Sequence, residues 1–235
     1  MDPAGAVGVA ASEGGFLEGA FKSLMMIIMS EIGDKTFFIA AVMAMKHSRV
    51  TVLSGAFGAL AVMTVLSAAL GYLAPNLIPK KYTHLAATTL FFFFGGRLLW
   101  ESLRSAGEES WSELAEVEAE LSGLGDSDYK QGNKKKFNSW QRKLGGLISP
   151  VLFEAFTLTF MAEWGDRSQL ATIGLAAQTN VAGVTAGGII GHGLCTGLAV
   201  CGGRHFATSL SERAVGICGG ILFLLFGLHS LLVED

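Results

Sequence analysis

Two short strings hold the residues whose types and spacing could do chemistry: Glu31-Ile32-Gly33-Asp34-Lys35-Thr36 and Glu163-Trp164-Gly165-Asp166-Arg167-Ser168. Each lies in the middle of a hydrophobic stretch. An ionisable side chain at bilayer depth costs about 2.5–3.5 kcal/mol on insertion, so it is rarely kept without work to do. Two glutamates and two aspartates at matched positions point to the handling of cations. On an unbroken helix, Glu31 and Asp34 lie about 60° apart, and Lys35 stands about 40° from Glu31 on the other side. One face then carries all three, and the same holds for Glu163, Asp166 and Arg167. Thr36 and Ser168 point elsewhere on such a helix unless it is distorted. Gly33 and Gly165 mark where a break is cheapest.

Four carboxylates meeting between two such helices make an oxygen-lined cage, to which Thr36, Ser168 and the Gln169 amide are further candidate oxygens. Oxygen ligands suit hard divalent ions such as Ca²⁺, Mn²⁺ and Mg²⁺, whereas zinc and copper sites recruit Cys or His. With Lys35 and Arg167 as charge partners, the four acids leave a nominal −2, which one divalent cation or two protons would neutralise. Cation and protons then compete for the same oxygens, and protonation on one side of a membrane would release the metal. The plainer alternative takes Glu31 with Lys35, and Glu163 with Arg167, as i,i+4 salt bridges that merely let charged helices insert. It leaves both aspartates unexplained.

The elements that must position these residues are membrane helices. The chain has 235 residues, 51% of them hydrophobic and 16% charged, with 31 glycines and a mean hydropathy of +0.47. A soluble domain would carry about a quarter charged residues. Apolar runs of about 20 residues fall near 23–45, 51–73, 84–103, 149–176, 182–202 and 213–233. The expected fold is all-α and integral to the membrane, with six spans. The second string lies 132 positions after the first, Phe94-Gly95 recurs as Phe226-Gly227, and Gly55 to Gly58 resembles Gly188 to Gly191. Two repeats of three spans follow, 23–103 and 149–235, and an odd number of crossings inverts the second against the first.

A polar segment, 1–22, precedes the first repeat, and 104–148 links the two. The linker is acidic first, with nine Asp and Glu between Glu101 and Asp128, and basic after Lys130. Leu114, Val117 and Leu121 recur in it at helical spacing, which predicts a short amphipathic helix. Lys and Arg outside the spans divide eleven to three in favour of the face bearing this linker. The linker is therefore expected in the cytoplasm and both termini on the opposite side. Met1 to Gly15 lacks the pattern of a secretory signal or transit peptide, so either the first hydrophobic helix targets the chain or a leader has been removed.

Net charge of −3 with dispersed basic residues excludes a nucleic-acid role. Cys195, Cys201 and Cys218 form no Cys-x-x-Cys pair and read as small packing residues. His192, inside the fifth span, is a candidate proton relay or nitrogen ligand. Gly187-x-x-x-Gly191 and Gly216-x-x-x-Gly220 read as close helix packing.

The two strings resemble the Glu-x-Gly-Asp-Lys/Arg-Ser/Thr signature of the Gdt-type membrane proteins, cation:proton exchangers for manganese and calcium found in Golgi, plastid and bacterial membranes. The likeness runs from Phe21 to Leu232. It implies that Glu31, Asp34, Glu163 and Asp166 bind the transported cation, with Lys35, Thr36, Arg167, Ser168 and Gln169 as signature neighbours. The acidic segment 113–121 and the Gly202-Gly203-Arg204 turn resemble the animal and fungal Golgi branch, which implies import of Mn²⁺ and Ca²⁺ into the lumen against protons. A plastid membrane is the alternative location. Expected partners are the bilayer, the divalent cations and protons, with a homo-oligomer left open and no cofactor. Two competing readings keep some of the same residues. One is an intramembrane aspartyl protease using Asp34 and Asp166, disfavoured because its usual Tyr-Asp and Gly-x-Gly-Asp strings are missing. The other is a proton-coupled exporter of another cation.

Overall fold

The structure is a computed structural model that describes residues 15–77, 79–104, 117, 119, 149–209 and 212–232. Eight helices run through these residues: α1 (Phe16–Glu31), α2 (Lys35–Lys46), α3 (Arg49–Leu77), α4 (Lys80–Arg104), α5 (Pro150–Glu163), α6 (Arg167–Gln178), α7 (Val181–Ser209) and α8 (Glu212–Leu232). The all-helical expectation is met. The order short, short, long, long occurs twice.

The expected spans 23–45 and 149–176 are not continuous helices. Each is two half-helices, of 16 and 12 residues in the first case and 14 and 12 in the second. The break has a local cause. Gly33 and Gly165 hold φ of 81° and 82°, the only positive-φ residues among those described, in a region that L side chains enter only at a cost. Before each glycine the chain leaves the helix at Ile32 or Trp164, and after it Asp34 or Asp166 stands at the N-cap of the next half-helix. Glu31 and Glu163 are thus last residues of α1 and α5, while Lys35 and Arg167 open α2 and α6. The continuous-helix geometry, with Glu, Asp and the cation on one face, does not apply.

Among the described residues, three helices are long and apolar enough to cross a membrane: α3 over Arg49–Pro75, α7 over Val181–Gly202 and α8 over Arg213–Leu232. Helix α4 begins with two lysines, and the half-helices are individually short of the ~20 residues a crossing needs. Leu66, Leu70 and Leu73 on α3, and Ile190, Leu194 and Leu198 on α7, leave apolar side chains exposed along one helix face each. That is the surface acyl chains would cover.

Packing exchanges the halves. Helix α1 lies along α7 as α5 lies along α3, α2 meets α7 as α6 meets α3, and α4 and α8 pack on each other. A Cβ on Gly187 would stand 2.1 Å from the Ala20 carbonyl oxygen, and one on Gly55 would stand 2.5 Å from that of Leu152. These contacts equate Gly55 with Gly187, one residue from the sequence pairing with Gly188, so the offset of 132 holds through the long helices. Gly183 and Gly187 face Phe16 and Ala20 on successive turns, so backbone meets backbone along the α1–α7 seam. Of the second small-residue run, Gly216 meets Ser102, and Gly220 meets Leu99 and the Gly95 carbonyl on α4.

Two apolar clusters bracket the broken segments. One gathers Phe37, Phe38, Val42, Val52, Ala155 and Val200. The other gathers Met26, Phe91, Ala171, Leu175, Val184 and Phe223. Val117 is helical, buried and part of the first cluster, which anchors one point of the linker. Leu114 and Leu121, and most of segments 1–22 and 104–148, lie outside the described residues. Cys195 is buried, but Cys201 and Cys218 are exposed, so tight packing does not account for them.

Candidate metal centre

The two breaks face each other between the apolar clusters. Glu31 and Glu163 are only 2% and 3% exposed. One ligand oxygen from each of Glu31, Glu163 and Asp166 can be chosen so that all three lie within 4.8 Å of one another. The halves share ligands reciprocally. Thr36, at the start of α2, donates from Oγ1 to Glu163 Oε1 at 2.5 Å, and the Ser168 side chain, at the start of α6, faces Glu31. Both hydroxyls are buried, because the breaks turn inward the positions that a straight helix would send elsewhere. Each half-helix N-terminus adds the positive end of its dipole beside the acids.

Asp34 is placed differently from the other three acids. Its Oδ1 stands 3.6 Å from Arg167 Nη2, which also donates to the Ser30 carbonyl at 3.3 Å. Asp166 Oδ2 instead accepts from Ser168 N at 3.0 Å, capping α6. Gln169 spends its carbonyl oxygen on the Gly165 N–H at 2.8 Å and so braces the second break. Lys35 is exposed. Arg167 makes its close ion pair across the repeats, with Asp34, rather than with Glu163 one turn away, on which its charge also acts.

His192 on α7 is buried, and its Nδ1 lies 4.0 Å from Glu31 Oε2. Two small cavities flank the acids, each with room for about one water or ion. The first is bordered by Glu163, Ser168, Gln169, Thr64, Ser67 and His192. The second is bordered by Glu31, Thr36, Phe37, Ala40, Cys195 and Thr196. At an offset of 132, Glu163 answers to Glu31, Ser168 to Thr36 and Thr64 to Thr196, so the cavities are repeat-related, and each is bordered by both polar and apolar groups. Thr64 and Ser67 escaped the sequence reading because isolated hydroxyls on an apolar helix carry no period of their own.

Such an arrangement can hold one hard cation among carboxylate oxygens, or protons in its place. The profile of the family described as "Divalent cation/proton antiporter GDT1" matches residues 19–106 and 151–235. The chain belongs to the GDT1 family of divalent cation/proton antiporters. Both matched stretches contain a complete break, and the gap between them falls on the linker. The chain is 51% identical over 228 residues to GDT1-like protein 5 of Arabidopsis thaliana, covering 93% of this chain and 97% of that one. It is 49% identical over 222 residues to GDT1-like protein 5 of Oryza sativa subsp. japonica, covering 92% and 95%. A rice GDT1-like protein 3 is 50% identical over 218 residues, 92% of this chain and 74% of its own. No solved structure matches. As a GDT1-family antiporter the chain works in a bilayer, with a divalent cation and protons as its substrates.

Proposed function

We propose that this GDT1-family chain is a six-span exchanger, a 3+3 inverted repeat in which each broken pair, α1–α2 and α5–α6, makes one crossing. It carries Mn²⁺ and Ca²⁺ from the cytosol into an acidic lumen such as the Golgi, in exchange for lumenal protons. Glu31, Asp34, Glu163 and Asp166 form the cation site, Thr36, Ser168 and Gln169 orient it, and Arg167 and Lys35 balance its charge. The linker faces the cytosol and both termini the lumen, as the eleven-to-three distribution of Lys and Arg favours. The acidic segment 113–121 and the Gly202-Gly203-Arg204 turn favour the Golgi over a plastid membrane.

One observation carries this reading: buried carboxylates from both halves meet where two half-helices begin. Uncompensated acids at such depth are expensive, and a divalent ion or protons remove that cost. The sign of the pH dependence follows. Protons occupy the oxygens as pH falls, so cation affinity is highest at neutral pH and declines toward acid. Release into an acidic lumen is thereby favoured. The aspartates' separate engagements, one with Arg167 and one as a helix cap, speak against a proteolytic pair sharing one proton.

The test is reconstitution in liposomes with an acidic interior, recording Mn²⁺ and Ca²⁺ uptake together with internal pH. Cation entry should raise internal pH and stop when the gradient is collapsed. Uptake with no proton movement would reject exchange.

A further inference from the structure

We propose that His192 supplies a nitrogen ligand to the transported cation through Nδ1, and that this ligand biases the site toward Mn²⁺ over Ca²⁺. The inference rests on the carboxylate site proposed above and deepens it by naming what distinguishes its two substrates. His192 is 5% exposed, and its Nδ1 has no hydrogen-bond partner in the structure. A buried polar atom without a partner is costly and calls for an explanation. The nearest acidic oxygen, Glu31 Oε2, is 4.0 Å away. That is too long for a hydrogen bond. It suits two ligands of one ion, because donors each about 2.1 Å from a metal stand up to roughly 4 Å apart. Glu31 Oε1 is likewise buried and unpartnered, so both residues keep unused ligating capacity, with His192 standing beside the Glu31–Glu163–Asp166 group rather than inside it.

The repeat supplies a control. At the offset of 132, His192 answers to Leu60, which borders both cavities. A leucine fills the equivalent place in the first half, so packing at that depth does not call for an imidazole. Chemistry does. Ca²⁺ takes oxygen ligands almost exclusively, whereas Mn²⁺, although it too suits oxygen donors, is a first-row transition ion that accepts an imidazole nitrogen more readily, so one nitrogen among oxygens favours Mn²⁺ relative to Ca²⁺.

Pulsed electron paramagnetic resonance of Mn²⁺ bound to the purified full-length chain reads the ligand directly. A ¹⁴N coupling from a directly bound imidazole is expected in the wild type and should vanish in His192→Leu. Its absence from the wild type would overturn the proposal even if the variant fails to fold. In liposomes, His192→Leu should raise the KM for Mn²⁺ about tenfold and that for Ca²⁺ less than about threefold. Equal loss of both ions would overturn the selectivity. Glu163→Gln separates the two layers of argument: if both ions survive that change, the carboxylate site itself is wrong, whatever His192 does.

Discussion

In the first copy of the signature, Asp34 reaches across to Arg167 and leaves the start of α2 without a side-chain cap. In the second, Asp166 folds back onto Ser168 N and stands with Glu31 and Glu163. The backbones do not explain this, since Gly33 and Gly165 adopt the same left-handed φ within a degree. The residue after each aspartate does. Lys35 is exposed, whereas Arg167 turns inward and its guanidinium bridges Asp34 and the Ser30 carbonyl. A planar fork can join a carboxylate and a carbonyl in a way that a lysine ammonium on a flexible stem does not. Near-identical strings thus divide the labour: one break contributes mainly a glutamate, the other a glutamate and an aspartate.

The comparison can be broken most sharply at the glutamates, which it treats as equals. Glu31→Gln and Glu163→Gln should each weaken Mn²⁺ binding by about 100-fold and bring liposome uptake to background. A large loss from only one would mean that the halves are less reciprocal than the Thr36–Glu163 contact indicates. The aspartates should then separate. Asp166→Asn is expected to lower Mn²⁺ affinity about 30-fold by equilibrium titration. Asp34→Asn should cost about threefold, the order of a partly exposed ion pair. Equal losses would give Asp34 the same weight in the cation site as Asp166 and erase the distinction.

The smallest effect on cation affinity concerns the hinge. No atom lies within 4 Å of a Cβ built on Gly165, so Gly165→Ala tests backbone conformation without a clash. It should destabilise the protein by about 1–2 kcal/mol, read as a lower midpoint in denaturant, with the Mn²⁺ affinity of the folded fraction retained. A neutral result would show that the break does not depend on the left-handed residue.

The helices, the repeat and the acidic residues were legible because each is written in composition: apolar runs, a recurring string, and charges where charges are expensive. The breaks were half legible: Gly33 and Gly165 marked where one would be cheapest, but turning residues at 100° per step presumes that the helix continues. A signal for them was present. Asp34 and Asp166 each precede an apolar run, the position of an N-cap, and a glycine precedes each aspartate. Read together, those residues end one helix and start another. That assignment also brings in Thr36 and Ser168, which helical geometry had turned away. The division between Asp34 and Asp166 was beyond reach, since it depends on how far a guanidinium extends from the opposite half. Val117 was legible as a helical apolar position in the linker, but not the core it joins, which is assembled from residues far along the chain.

The reciprocal contacts at the breaks mean that neither half owns a finished centre. Thr36 serves Glu163, Arg167 serves Asp34, and each broken pair beds against the other half's long helix. The connection over 104–148 therefore need not transmit anything. It keeps two complementary pieces at equal stoichiometry, as a tether does, and the halves supplied as separate polypeptides contain every described group that the centre uses.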